Sequence, residues 1–168
     1  MAENSSDLEK RIAEIEARQQ ILDLKYRYFR AADGKDADGF RACFVKEGAR
    51  ISFSAIGDFG DADALTQVYR DIALEKVDGQ FNVLDMHHGF HPVITILGEG
   101  QAKGQWTLRY RKVDRRERTL QVSALEYRDT YVIEDGEWKI SSTEANDLWT
   151  LVTPLEEGAE ITSSLESL

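Results

Sequence analysis

Residues 84–97, 102–113, 120–134 and 138–152 form four long extended runs, which leave this chain few folds to adopt. Their apolar and polar residues alternate, the period of strands with one face turned inward. The breaks between them are Gly98-Glu99-Gly100, a charged turn at 114–118, and Asp135-Gly136. An Asp-Gly pair between alternating runs marks a two-residue hairpin, because both central positions of that turn need positive φ. Four strands joined by such turns form an antiparallel meander. A meander buries one face, and something else in the chain must cover it.

The first half supplies the cover. From Ser6 to about Ala32, the residues Leu8, Ile12, Ile15, Ile21, Leu24, Tyr28 and Ala32 recur at helical spacing. Ser6 with Glu9 reads as a capping box, and Gly34 as the left-handed residue that ends the helix. A second helix starts at Asp36 and buries Phe40, Cys43 and Phe44. Residues 50–54 read as a short strand, 57–60 as a loop, and 61–74 as a third helix with Leu65, Val68, Tyr69 and Ile72 inward. The expected class is α+β, with three N-terminal helices packed on a curved, mostly antiparallel sheet. At 168 residues the chain has room for one core, so we expect one domain at 1–154. Residues 155–168 hold four glutamates and no basic residue, and read as an acidic tail or an interface strap.

Charge narrows the range of partners. A net charge of −10 repels phosphate backbones, which disfavours nucleic acid. Arg109, Arg111, Lys112, Arg115, Arg116 and Arg118 form a local exception. They suit either an anionic substrate tail or a solvated rim partnered by Asp114 and Glu117. No apolar run is long enough for a membrane span and the N-terminus lacks a signal-peptide pattern, so the expectation is a cytoplasmic protein with no membrane partner. The lone Cys43 reads as a small buried residue. No phosphate- or dinucleotide-binding glycine motif occurs, and no cofactor is expected.

All three histidines lie in the heptapeptide DMHHGFH. In an extended strand His87 and His91 share a face about 13 Å apart while His88 points away, a poor metal geometry. A histidine paired with a carboxylate suits acid–base chemistry better. A neutral imidazole accepts a proton near neutral pH, and an aspartate on its other nitrogen fixes the tautomer. Asp33, at the end of the first helix, is placed to do this for His87, and Tyr28 on the same helix could donate a hydrogen bond. Each also has a plain reading, as a turn former, a strand residue and a core aromatic. Trp106, Leu108 and Tyr110 alternate onto one strand face, a bulky apolar wall suited to a hydrophobic, ring-containing small molecule.

Three segments carry a resemblance: ILDLKYRYFRAADGKDADGFRACF, MHHGFHPVITILGEGQAKGQWTL and EYRDTYVIEDGEWKI. They resemble the SnoaL-like (nuclear-transport-factor-2-like, cystatin-like) family, and within it the bile acid 7α-dehydratase, scytalone dehydratase and hexachlorocyclohexane dehydrochlorinase type. The resemblance implies a cone-shaped fold, an Asp33–His87 dyad with Tyr28 as hydrogen-bond donor, and cofactor-free proton abstraction. It departs at Tyr110, where the dehydratase has a carboxylate, and at Asp147, where it has an arginine. Trp106, Leu108, Tyr110, His91 and Asp147 are then the expected substrate-contacting residues, with no metal. The implied activity is that of a lyase or isomerase on a steroid- or polyketide-like compound. The alternative is a ligand-binding module, or a structural subunit like the small subunit of ring-hydroxylating dioxygenases. An apolar outer sheet face would call for a homodimer or homotrimer.

Overall fold

The computed structural model describes residues 2–98 and 100–165, with side chains from residue 5 onward. Three helices precede most of the sheet: α1 (Ala2–Asp33), α2 (Ala37–Ala42) and α3 (Ala62–Ala73). Between α2 and α3 lie β1 (Arg50–Phe53) and β2 (Gly57–Phe59), and a small hairpin, β3 (Lys76–Val77) with β4 (Gln80–Phe81), follows α3. The meander is β5 (Val83–Gly98), β6 (Gln101–Asp114), β7 (Thr119–Glu134) and β8 (Glu137–Pro154). The six-stranded sheet runs β2-β1-β8-β7-β6-β5, antiparallel throughout except for the β1–β8 pair. The expected α+β architecture is present. Among the described residues, no helix is long and apolar enough to cross a membrane.

The covered face shows why these strands sit as they do. Ala102, Trp106 and Leu108 of β6, Tyr127 and Tyr131 of β7, and Ile140 and Ala145 of β8 alternate inward. They meet Ile21, Leu24, Tyr28 and Phe29 of α1. Asp135 and Gly136 both take positive φ (52° and 82°), as the two-residue hairpin requires.

Several sequence expectations change. The first helix starts at Ala2, so Ser6 lies inside it and the proposed Ser6/Glu9 cap is not a cap; Ser5 Oγ instead donates to Glu9 at 3.1 Å. Leu8, Ile12 and Ile15 are exposed, because the sheet lies under α1 only from about Ile21 onward. At the helix end, the left-handed residue is Lys35 (φ 65°), not Gly34. The amide of Asp36 donates to Ala31 O (3.0 Å) and that of Lys35 to Ala32 O (3.4 Å), a Schellman closure built on a lysine. Residues 57–60 hold β2 rather than a loop. Ile72 is half exposed, because it stands at the mouth of a cavity rather than within the core.

The arginine-rich turn is not partnered as expected. Arg116 pairs with Glu75 (2.7 Å), while Asp114 turns its carboxylate onto the amide of Glu117 (3.0 Å). Arg118 donates to the carbonyls of Glu156 and Ala159, and Arg115 to that of Ile161. The segment after β8 therefore folds back along this turn. Cys43 is buried, and burial pushes its thiol up to about 11.

Candidate functional site

The last turn of α1 and the first third of β5 bring Asp33 and His87 together. Asp33 accepts from the His87 backbone amide (3.0 and 3.1 Å) and stands 2.6 Å from its Nδ1. A carboxylate accepting at Nδ1 leaves that nitrogen protonated and Nε2 as the free lone pair, which is the tautomer a general base needs. Phe29 stacks on the imidazole with ring centroids 5.8 Å apart and planes 12° off parallel. Tyr110, paired with His87 across β5 and β6, closes in at 4.9 Å. Gly89 makes room for this packing, because a Cβ there would lie 2.4 Å from the Phe29 ring.

His87 lines a cavity of about 620 Å³ between α1, α3 and the sheet. Phe53, Leu65, Val83, Leu108 and Leu125 supply apolar wall, while Ile56 and Ile72, both half exposed, stand at its mouth. Polar groups that line it include Asp85, Tyr28, Tyr110, Tyr127 and Asp147, with Lys112 and Arg116 as the cations. Asp33 does not line it; it stands behind the imidazole. Two other depressions have volumes of about 720 and 790 Å³, the first between α1, α2 and the β7–β8 turn, the second bounded by β1, β2 and the middle of β6–β8. Neither has a histidine among its lining residues.

Tyr28 reaches the cavity from α1, where burial raises its hydroxyl well above the usual value and Tyr127 adds to the rise. Both tyrosines therefore stay protonated, and the hydrogen bond between their hydroxyls leaves one proton of the pair free to donate. Beneath them Lys25 is fully buried, 2.8 Å from Asp129 and 3.9 Å from the Tyr127 ring centroid. Burial lowers its pKa, against the pull of Asp129.

Of the expected substrate-contacting residues, Leu108, Tyr110 and Asp147 line this cavity and two others do not. Trp106 shares the strand face but lies under α1, where its indole donates to Tyr131 (3.0 Å) and Tyr26 packs edge-on. His91 is turned outward. The bulge between Phe90 and Val93 inserts a residue and inverts the alternation, so His91 adopts φ 51° and bonds exposed Thr107 at 2.7 Å. Among the described residues, no three His, Cys, Asp or Glu side chains converge as metal ligands.

Sequence reasoning missed roles for Lys25, Lys35, Asp85 and Gly89. Two of these left a trace: Lys25 interrupts the apolar stripe of Ile21, Leu24 and Tyr28, and Asp85 shares the His87 face by strand parity. Lys35 and Gly89 depend on contacts between distant segments and left none.

Solved structures share this architecture. A type 2 hexachlorocyclohexane dehydrochlorinase superposes with a TM-score of 0.74 at 15% identity, covering 91% of this chain and 97% of the other. A candidate scytalone dehydratase from Novosphingobium aromaticivorans gives 0.72 at 22% identity, with 91% and 99% covered. A protein with a cystatin-like fold from Nostoc punctiforme gives 0.60 at 16% identity, with 77% and 90% covered. Identities this low speak for the fold alone. Residues 13–144, most of the chain, match the family model described as the SnoaL-like domain, and the chain belongs to that family.

Proposed function

We propose that the protein is a cofactor-free lyase or isomerase of dehydratase type, acting on a hydrophobic, ring-containing small molecule. The observation that carries this reading is the imidazole of His87, held at Nδ1 by Asp33 at 2.6 Å and lining an apolar cavity. His87 Nε2 removes a proton from carbon beside a carbonyl or a leaving group. The electrons of that C–H bond form a C=C bond or an enolate. In an elimination, the leaving group departs with the electrons of its own bond to carbon. Asp33 stabilises the imidazolium that results, and Tyr28 donates to the oxygen on which charge builds.

A direct test follows deuterium wash-in at acidic carbons of polycyclic ketones and hydroxyketones in D2O by NMR. Wild type should exchange or eliminate at least one of them, and His87→Gln should lose about 10²- to 10⁴-fold in rate. Equal rates in both proteins would refute the assignment of the base.

One observation favours the second reading, a structural or binding subunit. Leu148, Trp149, Leu151 and Val152 leave a run of half-exposed apolar residues along β8. We propose that this surface is covered in a homodimer or homotrimer. A partner of another sequence, copurifying in fixed stoichiometry with no proton exchange by the isolated chain, would support the subunit reading instead.

A further inference from the structure

A second polar chain borders the cavity beside the dyad, and the proposed reaction makes no use of it. Lys35 Nζ lies 2.5 Å from Asp85 Oδ1, with the two side chains 0% and 10% exposed. The other Asp85 oxygen, Oδ2, faces the Tyr110 hydroxyl at 3.4 Å. Asp85 and His87 are two residues apart on β5 and project to the same side. Lys35 reaches Asp85 from the left-handed turn that closes α1, a conformation disfavoured for a residue with a Cβ.

The direction of each hydrogen bond follows from the inventory of donors. An ammonium only donates, so the Asp85 carboxylate accepts from Lys35 and, at its second oxygen, from Tyr110. The Tyr110 hydroxyl has then committed its one proton and offers the cavity only lone pairs. Burial and Asp85 together hold that proton on the phenol. Asp147, aimed into the cavity next to the bulge at Leu148, also accepts only, and takes a hydrogen bond from Ser54 at 3.0 Å. Lys35, behind this wall, is spent on Asp85; the two cations that line the cavity, Lys112 and Arg116, the latter paired with Glu75, are outnumbered by the carboxylates of Asp71, Glu75, Asp85, Asp114, Glu117 and Asp147.

We propose that the cavity selects neutral or cationic ring compounds that carry a hydrogen-bond donor, a hydroxyl or an amine received by Tyr110, and rejects anionic ones. Lys35 and Asp85 are positioning residues that set the polarity of Tyr110. This rests on the reading that the cavity is the ligand site. It adds which substrates that site admits.

The test uses three bicyclic probes that cannot undergo elimination: 2-naphthol, 2-methoxynaphthalene and 2-naphthoate. Calorimetry measures their binding to wild type, Tyr110→Phe, and the double variant Lys35→Met with Asp85→Leu. The double change removes both charges together, which the fold tolerates better than loss of one. Wild type should bind the naphthol about 5- to 10-fold tighter than the ether, the worth of one neutral hydrogen bond. It should bind the naphthoate weakest. Tyr110→Phe should bring naphthol and ether to within about twofold of the difference that their size alone makes, which the cycle cancels. The double variant should narrow the same gap. A merely structural role would weaken both probes alike and leave their ratio unchanged.

A naphthol–ether gap that survives Tyr110→Phe, a naphthoate that binds as tightly as the naphthol, or no binding of any probe to a wild-type protein that melts cooperatively would each overturn the proposal. A protein that shows this selectivity and exchanges no carbon-bound proton would refute the lyase reading and leave the selectivity standing.

Discussion

Asp33 and Asp129 are two carboxylates under the same helix layer, and their surroundings differ in one respect. Asp129 is closed: Lys25 lies 2.8 Å away, and the hydroxyls of Tyr131 and Thr143 each donate to it at 2.6 Å. Asp33 also receives its hydrogen bonds from within the protein, but one donor is an imidazole whose far nitrogen is left unpaired beside a cavity. The closed network costs desolvation and returns order. The open one orients an imidazole at the cavity wall, and in the proposed reaction it would stabilise the imidazolium. Burial and partner count alone would have ranked Asp129 first; what separates them is the second ring nitrogen of His87, across the imidazole from Asp33.

Lys25→Met breaks the closed half. It leaves Asp129 buried without its cation, and should destabilise the fold by about 3–5 kcal/mol in a urea melt. Adding Asp129→Asn should recover part of that loss. Asp33→Asn strikes the open half, with the opposite signature. Any turnover should fall about 10- to 100-fold while the melt shifts by about 1 kcal/mol or less, because the amide still accepts one hydrogen bond but no longer stabilises the imidazolium. A stability loss equal to that of Lys25→Met would mean that the two sites do not differ in kind.

A third contrast is in alkali. Burial raises the hydroxyls of Tyr28, Tyr127 and Tyr131 above their unfolded value near 10.0, so the folded state holds protons that the unfolded state releases. Their contribution is full below pH 10 and is lost as pH rises beyond it, by up to about 1.4 kcal/mol per pH unit for each tyrosine. Lys25 has the opposite sign, since its lowered pKa makes stability rise with pH until its unfolded value of 10.5, and it offers no offset above that. Melts between pH 9 and 12 should therefore show stability falling beyond pH 10. A flat profile would show that these hydroxyls are not buried in solution.

The sheet was legible because its signal is local. Alternation and the Asp135-Gly136 turn gave four strands to within one or two residues of their ends. The inward stripe of α1 was half legible. Leu8, Ile12 and Ile15 keep helical spacing where no sheet lies beneath them, and periodicity carries no information about where the partner surface begins. Within the site, strand parity grouped Leu108 with Tyr110, and failed at His91 because a bulge adds one residue and reverses every side chain after it. It also could not separate Trp106 from the cavity wall. That distinction depends on which helix lies overhead.

Lys35 occupies a turn where a glycine would sit without strain. A stabilisation campaign guided by backbone preference would replace it for a few tenths to about 1 kcal/mol of backbone relief. The same exchange would strip Asp85 of its counter-charge. Leaving that nearly buried carboxylate unpaired costs about 3–5 kcal/mol, more than the relief, so this position accepts backbone strain in order to hold both the ion pair and the cavity's polarity.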